Sequence, residues 1–324
     1  MKIVIYGERH QVGAIDGDRI VDLHLAYTEH LRQAGNSSPE RLAFEHLGED
    51  LAGLISNGAL ALDAAEAAVG HVAANGDEGG LAVPLSSTKL HAPWPRRRIA
   101  MVGGNYPDHL AGMQPGISLD EAAQRIRDQG QWGFWKEADE VTGPGDEIPY
   151  PRRTEYLDYE AEVAIIIGKR GKDIAADRIA DYVWGVTLVN DVSIRDGSTH
   201  PFFMSYNLDK NFDGAIAMGP AIAVGDAIDC QKIDIELKVN GETRQRFNSS
   251  TMVFSFGEVL EYLSRDFTFV PGDMISGGTA SGTAADQTPR PADGEERSKD
   301  LYLSVGDAIE ISSPQIGSFV NRVV

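Results

Sequence analysis

The segment Leu157-Asp158-Tyr159-Glu160-Ala161-Glu162-Val163-Ala164-Ile165-Ile166-Ile167 puts two carboxylates at the mouth of an apolar run. In a strand, residues two apart share a face, so Glu160 and Glu162 point the same way, together with Ala164 and Ile166. Two acids on one apolar face repel each other. Either one takes up a proton, or a cation sits between them. Oxygen-only donors suit a hard ion such as Mg²⁺ or Ca²⁺. The plainer alternative is an edge strand whose glutamates face water. A third acid, Asp191, closes the apolar part of Thr187-Leu188-Val189-Asn190-Asp191-Val192-Ser193-Ile194-Arg195-Asp196. There the rigid end of a strand presents a group to a cleft. Arg195, four residues on, is spaced to hold Asp191 or Asp196, or to grip an anionic substrate with its forked guanidinium. A turn capped by Asp191 or Ser193 is the alternative.

His109 ends Asn105-Tyr106-Pro107-Asp108-His109, directly behind the apolar stretch Ile99–Val102. It is the one histidine of eight expected in a loop behind a core strand, and imidazole titrates where general acid–base chemistry needs it. A solvated loop histidine is the plain alternative. Lys210 lies in Asp209-Lys210-Asn211-Phe212-Asp213, and a Gly-rich loop runs Gly277-Gly278-Thr279-Ala280-Ser281-Gly282-Thr283. That loop lacks the Lys-Ser/Thr pair of a phosphate cradle and misses the nucleophile-elbow spacing by one position. Neither a dinucleotide fingerprint nor a paired-histidine zinc spacing occurs.

The elements that must position these groups are legible in outline. Apolar runs at 163–167 and 183–189 predict buried strands, and Asn240-Gly241 between 233–239 and 242–247 predicts a two-residue hairpin. Ser118-Leu119-Asp120-Glu121 and Ser255-Phe256-Gly257-Glu258 have the spacing of capping boxes, each opening a helix. The stretch 113–132, which carries the first of them, is either a lid over the site or a fixed decoration. Turns at short intervals beyond residue 92 predict a rolled β architecture. Ahead of it, 1–23 reads as small strands, and a helical pattern follows from 23–34 to about residue 74. Residues 84–95 read as a linker, so the boundary falls between a small N-terminal α/β domain, 1–92, and a catalytic domain, 93–324. The class is α+β, rich in strands.

The chain has 324 residues and a formal net charge of −20, with 49 acids against 29 bases. Such a surface repels phosphate backbones and attracts cations, so neither nucleic acid nor an anionic membrane is expected as partner. Hydrophobic content of 42% against 24% charged is enough to build a core. One cysteine, Cys230, forms no internal disulfide and points to a reducing cytoplasm. No run approaches the length of a membrane span.

Taken in order, these segments resemble the fumarylacetoacetate hydrolase family. The matching pieces are Asn105-Tyr106-x-x-His109, Asp158-Tyr159-Glu160-x-Glu162, Asn190-Asp191-x-Ser193-x-Arg195-Asp196, Lys210-x-Phe212, Gly278-Thr279-x-x-Gly282 and Gly306-Asp307-x-Ile309-Glu310. The resemblance implies a mixed β-roll catalytic domain, a homodimer, a place in aromatic catabolism, and Mg²⁺ or Mn²⁺ on Glu160, Glu162 and Asp191. It further implies His109 and Lys210 as catalytic groups and Tyr106, Arg195 and Thr279 at the substrate, Arg195 alternatively bracing Asp191. The implied substrate is a small 2-oxo or 1,3-diketo acid, and the expected reaction is hydrolysis of a C–C bond in a 2,4-dioxo acid through a stabilised enolate. Hydration, decarboxylation or isomerisation of a 2-oxo acid at the same site is the alternative, and a catalytically silent scaffold the third reading. One position departs from the family: relatives carry a glutamate three residues after the histidine, and here that residue is Gly112. A partner acid then comes from Asp108, Asp120 or Glu121, from Asp293, Glu295 or Glu296, or from nowhere.

Overall fold

The computed structural model describes residues 1–77, 79–114, 116–196, 206–288 and 297–324. At its centre the strand Ala161–Ile167 is buried along its whole length, as a continuous apolar run requires. It pairs antiparallel with Val183–Asp191 on one side and with Met274–Ser276 on the other. Its side chains alternate between two cores. Val163, Ile165 and Ile167 join one cluster with Ile235, Leu237 and Phe256, while Ala164 and Ile166 join another with Ala26, Leu54 and Ala65. Each such isoleucine, removed from water, is worth about 1.5–3 kcal/mol.

The sheet around this strand has eleven strands, and a five-stranded sheet covers its odd-numbered face. Helices of the first hundred residues cover the other face. The result is an α+β, strand-rich fold in which two sheets roll around one core. The first strand, Lys2–Tyr6, does not stand apart: it pairs with Ile216–Val224, Ile3 opposite Ile222.

Local signals correspond to local structure. Asp234–Val239 and Glu242–Asn248 form the hairpin, with Asn240 and Gly241 both at positive φ, as a type I′ turn demands. Both capping boxes form, at Ser118 with Glu121 and at Ser255 with Glu258. Two expectations are corrected. The stretch read as a linker contains the strand Leu90–His91, which pairs with Lys2–Tyr6. His109 sits in the helix Pro107–Met113 and not in a loop; Pro107 starts that helix where a missing N–H costs nothing. Among the described residues no helix is long and apolar enough to cross a membrane.

Candidate active site

Register brings the acids together. Ala161 stands opposite Asn190 across the central pair of strands, and the Asp191 amide donates to the Glu160 carbonyl at 2.9 Å. Glu160, Glu162 and Asp191 are therefore neighbours, each offering an oxygen within 4.8 Å of the others. All three are buried.

Cations compensate two of them. Lys210 Nζ donates to Asp191 Oδ2 at 2.9 Å and to Ser193 Oγ at 2.6 Å, and it also donates to Glu160. Arg195 donates through Nε to Asp158 Oδ2 at 3.0 Å and through Nη2 to Glu160, so it holds Asp158 and Glu160 and leaves Asp191 to the lysines. Lys136, which nothing in the sequence pattern singles out, lies buried with Nζ 2.6 Å from Asp191 Oδ1. Burial works against ionisation of Glu160, but the charges of Arg195 and Lys210 overcome it and hold that carboxyl far below the usual range. Glu162 is the opposite case. Burial, then the charges of Asp191 and Glu160, push its carboxyl well above the usual range, and among the described residues no cation pairs with it. It accepts a hydrogen bond from the Ser276 hydroxyl.

A buried, oxygen-only donor set with one uncompensated acid fits a hard divalent cation. The Tyr106 hydroxyl is wholly buried near Glu162 and has no hydrogen-bond partner among the described residues.

His109 has found an acid that the sequence reading missed. Its Nδ1 lies 2.8 Å from Asp286 Oδ2. Asp286 is carried by the short helix Ala284–Gln287 and accepts from the Gly282 amide. The sequence signal was Thr283-x-x-Asp286, a capping spacing: the Thr283 hydroxyl accepts from the Asp286 amide at 3.2 Å. Of the acids considered from sequence, Asp108 accepts from the Ser281 hydroxyl at 2.9 Å. Asp120 is exposed, Glu121 is held in its capping box, and Asp293, Glu295 and Glu296 lie outside the described residues.

Gly112 and Asp286 explain each other. A Cβ at position 112 would stand 2.8 Å from the Asp286 Cβ, so the missing glutamate leaves the room that Asp286 fills. Gly112→Ala is expected to lower stability by about 1–3 kcal/mol, the usual cost of overpacking, and to loosen the His109 pair. Calorimetric melting checks the first effect and histidine NMR the second.

Thr279 anchors its loop: the hydroxyl donates to the Ala161 carbonyl and accepts from Gln245 Nε2, both at 2.8 Å. The helix Leu119–Gln129 is tied down through Arg127, which donates to Glu258 at 2.7 Å and to the Val253 carbonyl. The site thus combines a pocket for a hard cation with an imidazole whose Nδ1 is engaged by a carboxylate. When that nitrogen carries the proton, Nε2 is free to accept one.

The sequence model of a family described as "Fumarylacetoacetate (FAA) hydrolase C-terminal" matches residues 98–324. The chain is 34% identical over 254 residues to the oxaloacetate tautomerase YisK of Bacillus subtilis (strain 168), covering 77% of each chain. To the human mitochondrial oxaloacetate tautomerase FAHD2B it is 32% identical over 245 residues, covering 75% of this chain and 71% of that one. Among solved structures it is similar to a fumarylacetoacetate hydrolase from the psychrophile Exiguobacterium antarcticum, with TM-score 0.70, 26% identity, and coverage of 100% of this chain and 99% of that one. It is also similar to a 2-hydroxyhepta-2,4-diene-1,7-dioate isomerase from Mycobacterium marinum, with TM-score 0.59, 27% identity, and coverage of 76% and 81%.

Proposed function

From the premise that the chain belongs to the fumarylacetoacetate hydrolase family, we propose that it is a tautomerase of a small 2-oxo dicarboxylic acid, with oxaloacetate as the leading substrate. Mg²⁺ or Mn²⁺ would be held by Glu160, Glu162 and Asp191. The observation that carries this reading is the His109–Asp286 pair beside the three acids. The names of the relatives most similar in sequence support the choice of reaction.

When bound, such a cation polarises the 2-oxo group and stabilises negative charge on its oxygen. The chain's own residues do the rest. Asp286 accepts from Nδ1–H of His109, which fixes the tautomer and leaves Nε2 as the base. Nε2 takes a proton from the carbon next to the 2-oxo group, and the resulting imidazolium is stabilised by Asp286. The same nitrogen then delivers the proton to the 2-oxo oxygen; in the reverse direction it takes the proton from the enol oxygen and delivers it to the carbon, so enol and keto forms interconvert with no water consumed. Lys210 and Arg195 order Glu160 and Asp191, and the Tyr106 hydroxyl offers a donor to substrate.

Hydrolysis of a C–C bond in a 2,4-dioxo acid is the second reading. Its support is the likeness to the Exiguobacterium hydrolase and the ability of the same histidine to draw a proton from water.

The test supplies enol-rich oxaloacetate with Mg²⁺, Mn²⁺ or chelator and follows the enol absorbance, with total oxaloacetate measured enzymatically. The expected result is loss of enol accelerated by about 10²–10⁴-fold or more, with total oxaloacetate conserved and the effect abolished by chelator. No acceleration with either cation overturns the proposal. Cleavage of an acylpyruvate to pyruvate and a second acid, with oxaloacetate untouched, decides for the second reading.

A further inference from the structure

The His109 pair and the metal-binding acids are on separate elements, yet one buried side chain touches both sets of supports. Asp158 is fully buried and both its oxygens are engaged. Oδ1 accepts from the Ala284 amide at 2.8 Å and from the Tyr159 amide at 2.9 Å. Oδ2 accepts from Arg195 Nε at 3.0 Å and from the Ala285 amide at 3.1 Å. Arg195 in turn donates to Glu160. The helix Ala284–Gln287 has four residues, too few to hold itself in water, so its orientation depends on what grips its ends. It carries Asp286, and Asp286 holds His109.

We propose that Asp158 is a positioning residue that couples the metal-binding acids to the proton-transfer pair: its Oδ2 holds Arg195 and the Ala285 amide together, and its Oδ1 holds the Ala284 amide. The proposal rests on the functional reading above and adds to it a reason why acid set and base keep one geometry. A line of hydrogen bonds runs from Glu160 through Arg195 and Asp158 to the helix and on to His109. A small displacement of the helix moves the base relative to the substrate carbon, and misplacement by about 1 Å costs about a hundred-fold in rate. A purely structural ion pair would instead cost stability without selecting the chemical step.

Two variants of the full chain separate these cases. Asp158→Asn keeps the shape and turns one acceptor into a donor. Ala284→Pro replaces the amide that donates to Asp158 Oδ1 by a ring carbon, which drives the carboxylate off that end of the helix while changing no atom of Asp158, Arg195 or Glu160 themselves. Thr283 precedes it at φ −67° and ψ 158°, the extended conformation a residue before proline adopts, and the first helical position tolerates proline. The readouts are kcat and KM on oxaloacetate, Mn²⁺ affinity by calorimetry, and the ring nitrogens of His109 by ¹⁵N NMR, assigned with His109→Gln. For Ala284→Pro we expect kcat down about 10–100-fold with KM unchanged and Mn²⁺ affinity within about threefold of wild type. The single Nδ1–H tautomer of His109 gives way to a mixture. Placed in an Asp286→Asn background, Ala284→Pro lowers kcat by no more than about two-fold further, because the contact it protects is already gone.

Losses that multiply when Ala284→Pro is combined with Asp286→Asn, or unchanged His109 signals in Ala284→Pro, overturn the proposal. If Asp158→Asn does not fold, Ala284→Pro decides. If the wild-type chain leaves oxaloacetate untouched, the functional reading fails by itself, and the NMR and Mn²⁺ measurements still decide whether Asp158 governs His109.

Discussion

Glu162→Gln is expected to abolish Mn²⁺ binding and to lower turnover by about a thousand-fold, the factor that roughly 4 kcal/mol of lost charge stabilisation represents. The same substitution is expected to raise the melting temperature of the ion-free chain near neutral pH. Both effects have one origin. Burial first, then Asp191 and Glu160, push the Glu162 carboxyl well above the usual range. A folded acid that holds its proton more tightly than the unfolded chain does loses stability as pH rises past the unfolded value. Glutamine removes that liability. An entering cation must displace the proton, so Mn²⁺ affinity of the wild type is expected to rise with pH, by up to about ten-fold per unit while one proton is released. Calorimetric titration in buffers of different ionisation enthalpy counts that proton. An affinity flat in pH, or an ion-free variant that melts lower, contradicts the picture of an uncompensated acid.

Asp286→Asn addresses the other half of the site. It keeps the side-chain shape but removes the charge that stabilises a protonated His109, and it allows the imidazole to present the wrong nitrogen. Turnover is expected to fall by about 10²–10⁴-fold, with KM and Mn²⁺ affinity near their wild-type values. The Gly112 contact supplies a rescue. A glutamate at 112, three residues after His109 on the same helix, faces the histidine. Gly112→Glu alone meets the Asp286 side chain and is expected to destabilise. Combined with Asp286→Gly it is expected to recover part of the lost rate. Steady-state kinetics on the four variants checks this, and a double variant no better than Asp286→Gly excludes the exchange.

What the sequence showed and what it hid divide along sequence separation. Glu160 and Glu162 were legible because strand alternation is a local rule, and Asp191 because an acid at the end of an apolar run is conspicuous. Ser118, Ser255 and Asn240-Gly241 announce their helices and turn through contacts three residues apart or fewer. Asp286 was not legible as the partner of His109, because the pairing crosses 177 residues and depends on a helix of four residues. Lys136 was hidden for a similar reason: a lone lysine in a strand reads as exposed until the fold closes over it. Arg195 is read from sequence as a group for substrate, Asp191 or Asp196, whereas its acceptors are Asp158 and Glu160, chosen by how Leu157–Asp158 pairs with Ser193–Ile194.

The pairing of Lys2–Tyr6 with Ile216–Val224 also sets an order of events during synthesis. The strand Lys2–Tyr6 must wait until residue 223 has left the ribosome before its partner exists. At about 5–20 residues per second that interval is tens of seconds. Until then the residues that follow it, the hairpin of 11–22, the helices behind them and the strand Leu90–His91, are its company among the described residues. Once made, the strand Ile216–Val224, apolar along most of its length and buried throughout in the finished sheet, is open on the side that Lys2–Tyr6 will take. An unfilled edge of that kind recruits neighbouring chains. The first residues therefore act as a built-in guard, and loss of grip there is paid in aggregation before it is felt in activity.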